Sequence, residues 1–117
     1  MENVLKDKSY KFALRVVNLY KHLAFEKKEY VLSKQILRSG TSVGANIAEG
    51  NQAQSKIRLC SQTFHFTKEA VETKYWLCLL RDGEFITISQ AESLIEDCKE
   101  LIRILTSSIK TAKIRNK

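Results

Sequence analysis

Along nearly the whole chain, apolar residues recur at intervals of three and four, with charged residues between them. That rhythm predicts amphipathic helices rather than strands. It resolves into four segments, over about residues 6–25, 29–52, 55–81 and 89–113. In the first, Ala13, Val16, Val17, Tyr20, Leu23 and Ala24 share a stripe, while Lys8, Lys11, Arg15 and His22 fall nearly opposite and give a basic outer face. The second turns Leu32, Ile36, Val43 and Ile47 inward. The fourth has the clearest amphipathic pattern, with Ala91, Leu94, Cys98, Leu101, Leu105, Ser108 and Ala112 alternating by three and four.

The punctuation between segments agrees with this division. The chain contains no proline. Gly50 and Asn51 end the second helix, the Ser55 hydroxyl caps the third, and Asp82-Gly83 stops it. Ser89 and Glu92 have capping-box spacing at the start of the fourth. Short connections favour antiparallel neighbours, so the expected fold is all-α, an antiparallel up-down-up-down four-helix bundle forming a single domain over residues 1–117.

Two stretches ask for more than one amphipathic stripe. Gly40, Gly44 and Ala48 recur at i, i+4 and i+8 and line one side of the second helix. Each glycine lowers helix propensity by roughly 1 kcal/mol relative to alanine, so close packing has to compensate. From Tyr75 through Trp76, Leu77, Cys78 and Leu79 to Leu80 the third helix is apolar on every side. Either the Phe85–Ile88 loop folds over Trp76, or Tyr75, Trp76, Leu79 and Leu80 form a subunit interface in a homo-oligomer.

Charge widens the set of partners. The 117 residues carry a formal net charge of +7, which favours a polyanion such as RNA or DNA. The candidates for phosphate contact are Lys8, Lys11 and Arg15 on the first helix and Arg103, Lys110, Lys113 and Arg115 near the C-terminus, where no acid follows Glu100. The competing class is an assembly module that docks a protein partner. No secretory or membrane segment is visible, so the expected location is cytoplasmic. Cys60, Cys78 and Cys98 lack Cys-x-x-Cys spacing and read as buried thiols.

Enzymatic chemistry has little to build on. Neither His22 nor His65 lies in a Glu-x-x-His pair of the di-iron type, Cys60 and His65 are poorly spaced for a nucleophile and base, and no glycine-rich phosphate loop occurs. The expectation is a non-enzyme with no catalytic residue, cofactor or metal.

Two blocks carry a resemblance. Gln35-Ile-Leu-Arg-Ser-Gly-Thr-Ser-Val-Gly-Ala-Asn-Ile-Ala-Glu-Gly50, followed by Lys68-Glu-Ala-Val-Glu-Thr-Lys-Tyr-Trp-Leu-Cys-Leu-Leu80, resembles the bacterial 23S ribosomal RNA intervening-sequence proteins. The resemblance implies a four-helix bundle and a ring-like pentamer. It extends distantly to the accessory protein of diversity-generating retroelements, a basic pentameric barrel that works with a reverse transcriptase. Within the matching blocks, Arg38, Gly40, Gly44, Asn46, Glu49, Gly50 and Glu72 are the candidates for close packing or polar contacts. Asn46 and Glu49 share a helix face, and Glu49 and Glu72 are expected to bond Arg38, Lys68 or Lys74.

Overall fold

The computed structural model describes the backbone of residues 2–50 and 56–115 and the side chains of residues 4–45 and 64–107. Helix α1 spans Glu2–Lys21 and runs into a single π-helical turn, His22–Glu26; α2 spans Leu32–Gly50, α3 Lys56–Asp82 and α4 Ile88–Arg115. The four helices form an all-α bundle, a rod of 51 × 21 × 20 Å. Helix α1 packs on α2 and α4, and α3 packs on the same two, so α1 and α3 sit on a diagonal.

Each helix places one stripe in a shared core. Phe12, Val16 and Leu23 meet Ile36 and Val43 from α2, Phe66, Ala70, Leu77 and Leu80 from α3, and Ala91, Leu94, Cys98 and Leu101 from α4. Burying each of the larger side chains contributes about 1.5–3 kcal/mol. Half of the expected α1 stripe, Val16, Leu23 and Ala24, is buried; Leu5, Ser9 and Phe12 join it, while Ala13, Val17 and Tyr20 are only half-buried. Leu23 and Ala24 are consecutive and both buried. The wider π turn makes this possible, because it advances fewer degrees per residue than an α-helix.

The helix ends depart from expectation in an instructive way. Helix α2 starts at Leu32 rather than Glu29, because the Glu29 carboxylate accepts the backbone N–H groups of Val31, Leu32 and Ser33 at 3.2, 3.1 and 2.7 Å. A side chain outside the helix thus satisfies its first free donors. At the end of α3 the left-handed residue is Glu84 (φ 67°), not Gly83. The Phe85 N–H reaches the Leu80 carbonyl at 2.9 Å and the Glu84 N–H reaches Arg81 at 3.0 Å, which is a Schellman closure. Lys28 (φ 57°) plays the same part after the π turn, with the Glu29 N–H donating to the Leu23 carbonyl.

The α4 cap lies two residues ahead of the expected pair. The Thr87 N–H donates to Gln90 Oε1 (2.9 Å), and the Gln90 N–H returns to Thr87 Oγ1 (3.1 Å), a reciprocal capping box. Ser89 and Glu92 therefore lie inside the first turns. Ser55, the expected cap of α3, is outside the described residues.

Candidate functional site

The α2–α3 seam brings together the polar residues of the two sequence blocks. Arg38 projects from α2 between two carboxylates of α3: its Nη1 lies 3.4 Å from Glu69, and its Nη2 donates to Glu72. Glu72 also accepts from the Trp76 indole N–H at 3.2 Å. Beneath this surface network, the Thr73 hydroxyl donates to the Glu69 carbonyl at 2.7 Å, and its oxygen lies 3.0 Å from Ser39 Oγ in a fully buried contact. This buried hydroxyl pair fixes the register of α2 on α3.

Gly40 and Gly44 on α2 face α1. A Cβ at Gly40 would stand 2.7 Å from both Val16 methyl carbons, too close for a β-branched side chain that is itself fully buried. A Cβ at Gly44 would meet the Ser9 carbonyl oxygen at 3.5 Å, an ordinary contact. One glycine permits the approach of the helices, and the other merely lies along it.

The basic face of α1 meets α4. Lys8 Nζ donates to Glu100 at 2.7 Å. Arg15 forks between Asp97 (2.5 Å) and Ser93 Oγ (3.0 Å). Lys11 lies 3.9 Å from Asp7 on its own helix and is three-quarters exposed. Two of the three cations of this stripe thus serve as a seam between helices, and Lys11 alone faces outward. The Lys8 ammonium, hydrogen-bonded to Glu100 and adding its positive charge, holds that carboxyl below its ordinary value of 4.5. Arg103 is exposed. Lys110, Lys113 and Arg115 lie within α4 and Asn46, Glu49 and Gly50 within α2, but their side chains fall outside the described residues.

Helix α3 carries two apolar stripes. At about 100° per residue, Phe66, Ala70, Thr73, Leu77 and Leu80 share the side that enters the core. Phe64, Val71, Tyr75 and Leu79 fall opposite and are 68, 53, 59 and 37% exposed. This separates the residues expected at an interface. Leu80 is a core residue with no exposed surface; its helix position puts it on the inner side. Trp76 is half-buried against the core, with its indole edge-on to Tyr75. Tyr75 and Leu79 stay on the outer side, joined by Phe64 and Val71. Their spacing of seven, four and four residues was legible along the chain, but it was hidden among the apolar residues of the first stripe.

The sequence matches the family described as 23S rRNA-intervening sequence protein over residues 1–107. The chain belongs to that family. A solved relative of 55% identity is a protein of unknown function from the S23 ribosomal protein family of Bacteroides thetaiotaomicron VPI-5482. It superposes with a TM-score of 0.90, covering 93% of this chain and 97% of that one. No match was found among curated proteins.

Further features of this intervening-sequence protein bear on chemistry. Among the described residues, no three His, Cys, Asp or Glu side chains gather closely enough to hold a metal ion, and no helix is long and apolar enough to cross a membrane. Burial pushes the Cys98 thiol up to about 11, so at neutral pH it remains a protonated core side chain. His65 stands edge-on to Phe64 on the exposed side of α3. At the closed end of the bundle, a cleft of about 770 Å³ opens between the π turn and the α3–α4 loop, bordered by His22, Lys27, Arg81 and Gln90. Two of its polar side chains are engaged locally: His22 contacts Glu26 at 2.7 Å and Arg81 contacts Asp82 at 2.9 Å.

Proposed function

We propose that this chain works as a single domain, a non-catalytic helical bundle whose purpose is assembly: copies associate through the outer stripe of α3. The observation that carries this reading is the pair of opposed apolar stripes on that helix. A bundle helix needs one apolar face for its own core. The second, with Phe64 and Tyr75 each more than half exposed, supplies the aromatic anchors on which protein interfaces depend. The ring-like pentamer implied by the family resemblance is the assembly expected.

The test is the mass of the native particle in light scattering. Wild type should give a multiple of the 13.5 kDa chain, and Tyr75→Glu combined with Leu79→Glu should shift it towards a single chain. A wild-type particle of one chain mass would defeat the reading.

A specific observation also favours association with RNA or DNA. The chain keeps a surplus of +7 after every acid is counted, and a multimer would repeat that surplus in one particle, so that weak phosphate contacts add. Uptake of RNA by the particle, weakening steeply between low and physiological salt, is the expected result. A particle indifferent to RNA would assign the assembly to a protein partner instead.

A further inference from the structure

The surplus charge is confined to one half of the rod. Antiparallel packing sets the helices in register: Arg15 lies beside Asp97, Ser39 beside Thr73, and Ala70 beside Cys98. Residues 2–12, 43–50, 56–68 and 100–115 therefore make up the half that holds the end of α4. Residues 13–42 and 69–99 make up the half that holds the π turn. The first half contains ten Lys and Arg against four Asp and Glu; the second contains nine of each. Lys117 follows the first half in sequence and accounts for the last unit of the net charge.

Both halves hold paired and exposed cations. In the neutral half, Arg15, Arg38, Arg81 and Lys99 are engaged with carboxylates, and the exposed Lys21, Lys27, Lys28 and Lys34 are offset by an equal number of acids in that half. In the basic half, Lys8 pairs with Glu100, whereas Lys6, Lys11 and Arg103 are exposed and add to the surplus. Salt makes this position decisive. At physiological ionic strength a charge is felt over about 8 Å, far less than the 51 Å length of the rod. A ligand at one end meets that end alone.

We infer that the basic end of the rod docks on the phosphate backbone of a nucleic-acid duplex, with the neutral end directed away from it. The inference rests on the nucleic-acid reading above and adds where and how contact is made. A duplex is the partner that fits, because it presents one negative charge per about 1.7 Å of axis, about twice the density of a single strand. Contact of this kind reads charge rather than base sequence, so duplex RNA and duplex DNA should bind alike.

The experiment compares two variants of equal net charge. Lys6→Glu, Lys11→Glu and Arg103→Glu together alter the basic end; Lys21→Glu, Lys27→Glu and Lys34→Glu together alter the neutral one. All six residues are exposed, and circular dichroism and native mass confirm that each variant folds and assembles as wild type. Should the Glu variant of the basic end fail that check, the corresponding Gln variant takes its place. Fluorescence anisotropy of a 20-base-pair RNA duplex is read between about 50 and 200 mM salt, beside the DNA duplex and one RNA strand.

The basic-end variant should bind at least about tenfold more weakly, with a salt slope reduced by about three, while the neutral-end variant changes by less than about twofold. Equal losses in the two variants would overturn the placement while leaving nucleic-acid association standing. Tighter binding of the single strand would overturn the choice of a duplex. Wild type that binds none of the three probes would overturn the association itself.

Discussion

Helix α1 meets its two neighbours by opposite means. Against α2, Val16 reaches the bare Cα of Gly40, and the contact is close, apolar and buried. Against α4, Lys8 and Arg15 span the gap with ion pairs at about two-fifths exposure, to Glu100 and Asp97. At Gly40 the first seam excludes an added atom, whereas the second tolerates solvent and long flexible side chains. Dispersion and shape hold the first seam, and charge screened by solvent and salt holds the second only weakly. Tightness and stability should therefore be concentrated on the α2 side of α1.

Substitution on the tight seam gives the largest expected effect. Gly40→Ala forces a methyl against Val16 and should lose about 1–2 kcal/mol, with overpacking outweighing the gain in helix propensity; the check is the midpoint of urea unfolding. Gly44→Ala, one turn along the same seam, should move that midpoint the other way by up to about 1 kcal/mol, since its methyl finds room and helix propensity rises. If both alanines act in the same direction, the distinction between the two glycines fails.

The charged seam should show itself as a smaller effect that depends on pH. Because the folded Glu100 carboxyl titrates below its ordinary 4.5, its pairing with Lys8 is stabilising above that value and is lost as pH falls through the lowered one. Melting curves of wild type and Lys8→Met between about pH 7 and pH 3 should converge at the acid end. A gap independent of pH would mean that Lys8 contributes packing alone.

The bundle itself was legible in the chain, because a stripe at intervals of three and four is a property of one helix at a time. Partners were not. Lys8 and Glu100 are 92 positions apart, and the period of α1 shows which residues share a face without showing that α4 lies against it. Phe12 was missed because the buried arc of α1 is rotated by less than one residue step of about 100°, which brings Phe12 in while Val16, Leu23 and Ala24 stay inside it. Glu29 and Glu84 escaped notice for a different reason. Residue preferences assign caps to Ser, Thr, Asp or Asn and left-handed closures to Gly, and here two glutamates take those places. In α3 the opposed stripes made the sequence look apolar all round, and only the burial of Leu80 beside the exposure of Leu79 separates them.

The proportions of the rod bear on crowding along a strand. Standing on one end, a chain 21 × 20 Å across would shade only about six base pairs, at 3.4 Å for each step along a strand. Lying on its side, the same chain would shade about fifteen. Saturation stoichiometry on duplexes of increasing length thus distinguishes upright from recumbent copies, and an upright array would form a brush of closely spaced pillars with neutral tips.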